Sequence, residues 1–396
     1  MTPWLTLIGL GEDGALSPAA SERLRQAALV VGGARHLKLI GDITAERLAW
    51  PSPLQEAFPV LLARRGTPVC VLASGDPFFF GVGSLLAELV GVGEFESFPQ
   101  ASAFSLAASR LGWGLQDCAL VSLHGRALER IIPHLQPGAR VLALSWDGRT
   151  PQRLASLLCA RGLGDSRLTV LEAMGGARER QRSATAWELD ARDVDPLNTI
   201  ALEVAPAVGE RVAPRAAGLP DEWFENDGQI TKRETRALTM SALAPRPREL
   251  LWDVGAGSGS ISIEWLLADP SLGAIAIERE PERTARIRRN AAALGVPHLR
   301  LVEGAAPAAL EGLPAPDAVF IGGGIAGAVE PCWAALKAGG RFVVNAVTVE
   351  SQAALSDLSR RYGGELLQAS FARAEPVGRF RGFRPAMPVV QWRAVK

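Results

Sequence analysis

Three glycines spaced two apart, Gly255, Gly257 and Gly259, follow Asp253, and Glu278 lies 19 positions beyond the last of them. Leu250 to Asp253 reads as a strand and the apolar pattern from Ser260 as a helix, so the glycines occupy a strand-to-helix turn. In an open α/β sheet such a turn sits at the carboxyl edge. There the backbone can approach a ligand, and the helix N-terminus offers free N–H groups. Glu278 ends a second apolar run, Ala274 to Ile277, a position from which a carboxylate accepts hydrogen bonds from ribose hydroxyls. The pair predicts an adenosyl ligand, whereas an ordinary turn would leave Glu278 unexplained. The dinucleotide fingerprint G-x-G-x-x-G is absent because Ser260 takes its last slot, so a pyrophosphate is not expected.

The form Asp253-Val-Gly-Ala-Gly-Ser-Gly259 resembles motif I of the class I S-adenosylmethionine methyltransferases. In that family the acidic residue and the glycine loop hold the methionine end of the cofactor, and the later acidic residue holds the ribose.

A second group of chemistry-bearing residues lies in the first half. Ser74-Gly75-Asp76-Pro77-Phe78-Phe79-Phe80-Gly81 follows the apolar run Val69–Ala73, with a freed backbone at Gly75 and a turn stiffened by Asp76 before Pro77. Gly9-Leu10-Gly11 ends the first apolar run, Pro99-Gln100-Ala101-Ser102-Ala103 precedes a helix, and Val121 to Arg126 contains His124. In this order the four stretches resemble the tetrapyrrole methylase family over residues 1–205. That resemblance implies a two-lobed α/β fold with S-adenosylmethionine bound beside the Gly-Asp-Pro loop, at Gly9, Gly75, Asp76, Pro77, Gly81, Ala101 and Ser102. Relatives often carry Pro-Gly where this chain has Pro99-Gln100.

A tetrapyrrole methylase ahead of a class I unit is similar to the fused precorrin methyltransferases of cobalamin synthesis. The likeness in the second half includes Asp221 to Phe224, Gly228 to Thr231, Val302 to Gly304 and Phe320 to Gly324. It implies a cofactor site at Thr231, Asp253, Gly255, Ala256, Gly257, Ser258, Gly259, Glu278, Gly304, Ala305 and Ala306. Relatives often have Asp at the position of Ala305, so the contact to the adenine amine must come from elsewhere. The implied activity is methylation of precorrin-6Y at carbon 5 by residues 1–205. Methylation at carbon 15, with loss of the ring C acetate carboxyl, falls to residues 221–396 and gives precorrin-8x. The implied cofactor is S-adenosylmethionine, one site per domain, and the partner is a tetrapyrrole polycarboxylate. Relatives of both halves form homo-oligomers.

No residue is assigned to the chemical step. His124 is a candidate acid or base, and Arg126 a candidate for a substrate carboxylate. Gly322, Gly323 and Gly324 follow the fourth strand of the second half and offer no acting side chain. That suits an already nucleophilic ring carbon which needs only alignment with the methyl group. Arg379, Arg381 and Arg384, read as a loop before the last strand, suit propionate and acetate groups through bidentate pairing.

Alternating apolar runs and helical patterns position these residues. Strands are predicted at Trp4–Leu10, Leu29–Val31, Val69–Ala73, Phe95–Phe98, Ala119–Leu123, Val141–Leu144, Leu168–Leu171 and Thr199–Val204, forming a mostly parallel sheet. Residues 206–220 read as a linker, since Ala205 to Pro220 holds three prolines, two glycines and no apolar period. Beyond it a helix is expected at Thr231–Leu243. Strands follow at Leu250, Gly273–Ile277, Leu299–Val302, Ala318–Ile321, Arg341–Ala346, Glu365–Ala372 and Val389–Arg393, the last two as an antiparallel hairpin at the sheet edge. The expected fold is therefore a two-lobed tetrapyrrole methylase domain followed by a Rossmann-like, seven-stranded class I domain.

Composition narrows the function classes. At 396 residues, with 48% apolar and 21% charged, the chain is long enough for two domains that each bury a core. Its 42 basic and 42 acidic residues balance, and no basic stripe is interleaved with aromatics, which counts against nucleic acid and membrane surfaces as partners. Cys70, Cys118, Cys159 and Cys332 are scattered, which predicts reduced thiols, no metal centre and a cytoplasmic home. A methyltransferase acting on a cobalt-precorrin, RNA or protein is the alternative enzyme reading. A scaffold with one inactive half is the alternative outside enzymes, and it would bind one cofactor or none.

Overall fold

The computed structural model describes residues 3–205, 212–214, 216–325 and 327–396. The chain divides into two compact units, Met1–Val212 and Ala213–Lys396. Of the stretch read as a linker, residues 206–211 and 215 lie outside the described residues. Its far end belongs to the second unit: Leu219 is buried, and the Gly218 and Leu219 N–H groups donate to the Glu264 carboxylate at 2.7 and 2.8 Å.

The first unit contains two five-stranded sheets. One is wholly parallel, ordered β3-β2-β4-β1-β5, from β1 (Leu5–Leu10), β2 (Leu29–Gly32), β3 (Glu46–Ala49), β4 (Val69–Ser74) and β5 (Phe95–Phe98). Every residue of β1 and β2 is buried, as expected of strands covered on both faces. Ser17 caps the first helix, its Oγ accepting the Ala20 N–H at 3.2 Å, with Pro18 in the first turn.

The other sheet, ordered β6-β7-β10-β8-β9, corrects the expectation of one mostly parallel sheet. It comprises β6 (Cys118–Ser122), β7 (Arg140–Leu144), β8 (Arg167–Glu172), β9 (Arg180–Thr185) and β10 (Asn198–Glu203). Only β6 and β7 run parallel, and the other three pairings are antiparallel. The connections from β8 to β9 and from β9 to β10 hold no helix, so those strands can only fold back on themselves. The sequence reading missed β3 and β9, both short edge strands without a buried apolar face.

The second unit is built on a seven-stranded sheet ordered β13-β12-β11-β14-β15-β19-β16. Its strands are β11 (Leu250–Val254), β12 (Gly273–Glu278), β13 (Arg300–Glu303), β14 (Ala318–Ile321), β15 (Arg341–Ala346), β16 (Glu365–Ala369) and β19 (Val389–Val395). Strand β19 is antiparallel to both neighbours, β15 and β16, and its pairing with β16 makes the expected antiparallel edge of the sheet. Between β16 and β19 the chain makes a separate ribbon of β17 (Ala372–Val377) and β18 (Phe380–Pro385), turned at Gly378. The expected single strand Glu365–Ala372 is thus two elements. The predicted helix at Thr231–Leu243 begins at Arg233 instead, with Lys232 extended as its N-cap.

Strand order reverses between β11 and β14, so the loops leaving those two strands diverge over one crevice. That is where open α/β sheets bind ligands.

Candidate active site

In the second unit a cavity of about 750 Å³ opens at this reversal. Its volume suits a drug-sized ligand. Gly255 starts the loop after β11 with φ +71°, and a Cβ there would lie 3.0 Å from the Gly323 carbonyl oxygen. A side chain would therefore wedge apart the loops after β11 and β14. The cavity wall brings together Thr231, Gly255, Ala256, Gly257, Ser258, Glu278, Gly304, Ala305, Ala306 and Gly322 to Gly324, each singled out from the sequence. Ala305 contributes only a methyl group and backbone.

Glu278 is almost fully buried. Its Oε2 accepts the Gly257 N–H at 2.8 Å, and its Oε1 accepts from the Arg279 and Glu280 N–H groups at 3.0 and 3.1 Å. The helix Pro281–Ala293 holds the wall from behind. Asn290 donates to the Ser258 and Glu225 carbonyls, both at 2.9 Å, and Arg283 donates to Asp227 at 2.9 Å. These contacts tie the glycine loop and the segment before Thr231 to one rigid element.

Two residues expected at the ligand lie behind it. Asp253 is 1% exposed, and its Oδ2 accepts the Ser262 N–H at 3.1 Å and the Ser262 hydroxyl at 2.7 Å, while Oδ1 is buried without a partner. Burial pushes its pKa up to about 6, and the nearby Glu278 charge adds to this against the Ser262 hydrogen bonds. Gly259 faces Ile287 of the supporting helix rather than the cavity.

Arg379, Arg381 and Arg384 are not a loop before the last strand. Arg381 and Arg384 lie on β18, where Arg381 donates to the Ala374 carbonyl and Arg384 to Glu375 across the ribbon. Arg379 stacks on Phe380 in the turn. Arg373 on β17 lines the cavity instead, together with Lys232, Glu234, Phe371 and Met387, none of which the sequence reading singled out. Only the strand register of the ribbon separates Arg373 from the other arginines.

The first unit gathers its candidate loops at the carboxyl ends of β1, β4 and β5. The Gly75 N–H donates to the Leu10 carbonyl at 2.9 Å, and the Gln100 N–H donates to the Gly75 carbonyl at 3.1 Å. A Cβ on Gly9 would lie 1.8 Å from the Gly75 oxygen, so this position admits only glycine. Asp76 accepts the Phe78 N–H at 2.8 Å and shapes the Asp76-Pro77 turn, against which Gly81 packs. Ala101 is exposed, and Ser102 caps the helix Ala103–Leu111 through the Ser105 N–H at 3.1 Å.

Phe79 and Phe80 lie 5.3 and 5.7 Å from the Phe104 ring, and the Arg126 guanidinium is 5.8 Å from the Phe80 centroid. Arg126 therefore links the loop after β6 to the Gly-Asp-Pro loop, while His124 is exposed in the intervening turn. Sequence reasoning missed the neighbouring cluster in which Glu12 pairs with Arg35 and Arg178, and Ser74 Oγ lies 2.9 Å from His36 Nε2. Burial and then the Arg35 charge push the His36 pKa down to about 4, so the ring is neutral at pH 7.

Residues 5–190 match the tetrapyrrole (corrin/porphyrin) methylases, and residues 222–396 match the precorrin methyltransferase domain. The fold and both sites thus define a fused pair of methyltransferase units. The chain is 57% identical over 397 residues to the precorrin-6Y C(5,15)-methyltransferase (decarboxylating) of a Sinorhizobium species, covering 99% of this chain and 96% of the relative. It belongs to that family of S-adenosylmethionine-dependent C-methyltransferases. It is also 32% identical over 181 residues to the cobalt-precorrin-7 C(5)-methyltransferase of Salmonella typhimurium, covering 44% of this chain and 88% of the relative. A probable cobalt-precorrin-6B C(15)-methyltransferase (decarboxylating) of Saccharolobus solfataricus is 37% identical over 142 residues, covering 34% and 71%.

Proposed function

We propose that this chain methylates precorrin-6Y twice, at carbon 5 through the first unit and at carbon 15, with loss of the ring C acetate carboxyl, through the second, giving precorrin-8x. One S-adenosylmethionine site in each unit serves the two transfers. The observation that carries the reading is the second unit's cavity, where the Gly255–Gly257 loop and the Glu278 carboxylate share one wall with the unobstructed Gly322–Gly324 loop. The separate C(5) and C(15) relatives, each much shorter than this chain, support a division of labour between the units.

S-adenosylmethionine supplies an electrophilic methyl group. The chain's residues hold and align: Glu278 offers an acceptor for ribose hydroxyls, and Gly322 to Gly324 leave the approach to the methyl group clear of side chains. A ring carbon that is already nucleophilic needs that alignment more than it needs a base. The four cysteines are free thiols, which supports the cytoplasm as the compartment. The exposed apolar ribbon residues Val377, Phe380 and Phe383 support homo-oligomeric assembly. Among the described residues no helix is long and apolar enough to cross a membrane.

The test is to disable each unit in the full chain. Gly9→Val is expected to abolish only the first unit's methyl transfer, and Gly257→Arg only the second's together with decarboxylation. If both variants abolished both additions, or if the Gly257→Arg product had lost its carboxyl, the division between units would be wrong.

A further inference from the structure

The second unit's cavity has two ends, set by strand order. Glu278 ends β12 and Gly304 to Ala306 follow β13 on one side of β11, the side given above to the nucleoside. Asn345 and Val347 lie at the carboxyl end of β15, and Phe371, Arg373, Met387 and Val389 come from the chain around the ribbon, on the other side of β14. This far end has an apolar rim, with Val347 45% and Met387 70% exposed, and one cationic fork, Arg373. A flat macrocycle with carboxylate arms needs that combination.

Arg373 Nη2 donates to Glu234 Oε2 at 2.6 Å, joining the ribbon to the first turn of the helix Arg233–Leu243. Both side chains are about half exposed, at 58% and 40%, and such pairs add little to stability. Among the described residues only this one nitrogen of the fork is engaged. Lys232 lines the same wall, with Asp221 at a loose 3.9 Å.

We propose that Arg373, with Lys232 beside it, is the receptor for a side-chain carboxylate of the tetrapyrrole in the second unit. Glu234 is the placeholder that keeps the guanidinium aimed over the cavity until that carboxylate displaces it. The proposal rests on the reading of this unit as the site of the carbon-15 methylation. Guanidinium forks grip carboxylates bidentately, and replacing the fork with a point charge loses that geometry. Burial raises the Glu234 pKa, but its backbone hydrogen bond and Arg373 outweigh this and hold it below the ordinary value. Glu234 is therefore a charged competitor at neutral pH.

The experiment compares Arg373→Ala, Arg373→Lys and Glu234→Gln in the full chain with methyl-labelled S-adenosylmethionine and precorrin-6Y. Cofactor affinity at both sites, read by calorimetry, serves as internal control. Arg373→Ala is expected to raise the KM of the carbon-15 methylation about 10- to 100-fold, the loss of one charge-assisted contact, with cofactor affinity intact. Arg373→Lys is expected to recover part of that loss. Glu234→Gln is expected to lower KM, because the competitor is gone and the guanidinium remains. An unchanged KM in Arg373→Ala would overturn the proposal. So would a rise in Glu234→Gln matching that of Arg373→Ala, since the ion pair would then be merely structural. A wild-type chain that made no carbon-15 methylation would instead remove the underlying reading.

Discussion

Glu278 at the end of β12 reaches across to the glycine loop after β11, where its Oε2 accepts the Gly257 N–H at 2.8 Å. One buried carboxylate thus fixes the glycine loop that lines the cavity and faces the side proposed for the ribose. Loop shape and the proposed ribose contact therefore rest on one residue.

Replacing Glu278 with Ala is expected to remove both at once. S-adenosylmethionine affinity at the second site should fall at least about 100-fold, since a charge-assisted pair of contacts and the loop geometry are lost together. Titration calorimetry of the full chain should drop from two sites to one. Two unchanged sites would show that the ribose is held elsewhere.

Asp253 gives a pH signature. Its folded-state pKa of about 6 lies above the ordinary carboxylate value, so the protonated form is favoured by folding. The stability it contributes is fully present below about pH 4 and is lost as pH rises through about 6. Asp253→Asn mimics the protonated form. It should match the wild type at pH 4 and exceed it at pH 7 by as much as about 3 kcal/mol. Urea midpoints at the two pH values check this; an offset independent of pH would contradict it.

Arg236 is wholly buried and donates to Glu264 at 2.5 Å, to Asp221 at 3.1 Å and to the Thr231 carbonyl at 2.5 Å, with Phe224 under its guanidinium at 4.8 Å. It pins the chain that leads to the cavity wall at Thr231. Arg236→Met leaves Glu264 charged and buried, which typically costs about 3–5 kcal/mol. The double variant Arg236→Met, Glu264→Gln should lose less than the single one. Thermal melts of both, with the wild type, give the coupling, and additive losses would contradict it.

In the first unit, Gly9→Ala forces a methyl into the Gly75 carbonyl and should separate the loops after β1 and β4. The expected product carries the second unit's methyl but not the first's. Retention of both methyls would mean that this loop contact is dispensable.

How much of this was legible depends on how local the signal is. The loop Gly255–Gly259, Glu278 and Gly322–Gly324 each follow an apolar strand, so their place at one sheet edge could be read from sequence order. The direction of Asp253 could not, because a buried carboxylate turns toward whichever donor the fold supplies, here Ser262. Arg373 could not be told from Arg379, Arg381 and Arg384, because the turn at Gly378 and the ribbon register decide which arginine meets the cavity. The antiparallel second sheet was hidden by β9, whose Arg-Gln-Arg-Ser-Ala-Thr sequence has no buried apolar face.

The most direct measurement is mass spectrometry of precorrin-6Y incubated with the full chain and methyl-labelled S-adenosylmethionine. The expected product carries two labelled methyl groups and one carboxyl fewer. An unchanged macrocycle, with cofactor bound at both sites, would contradict it.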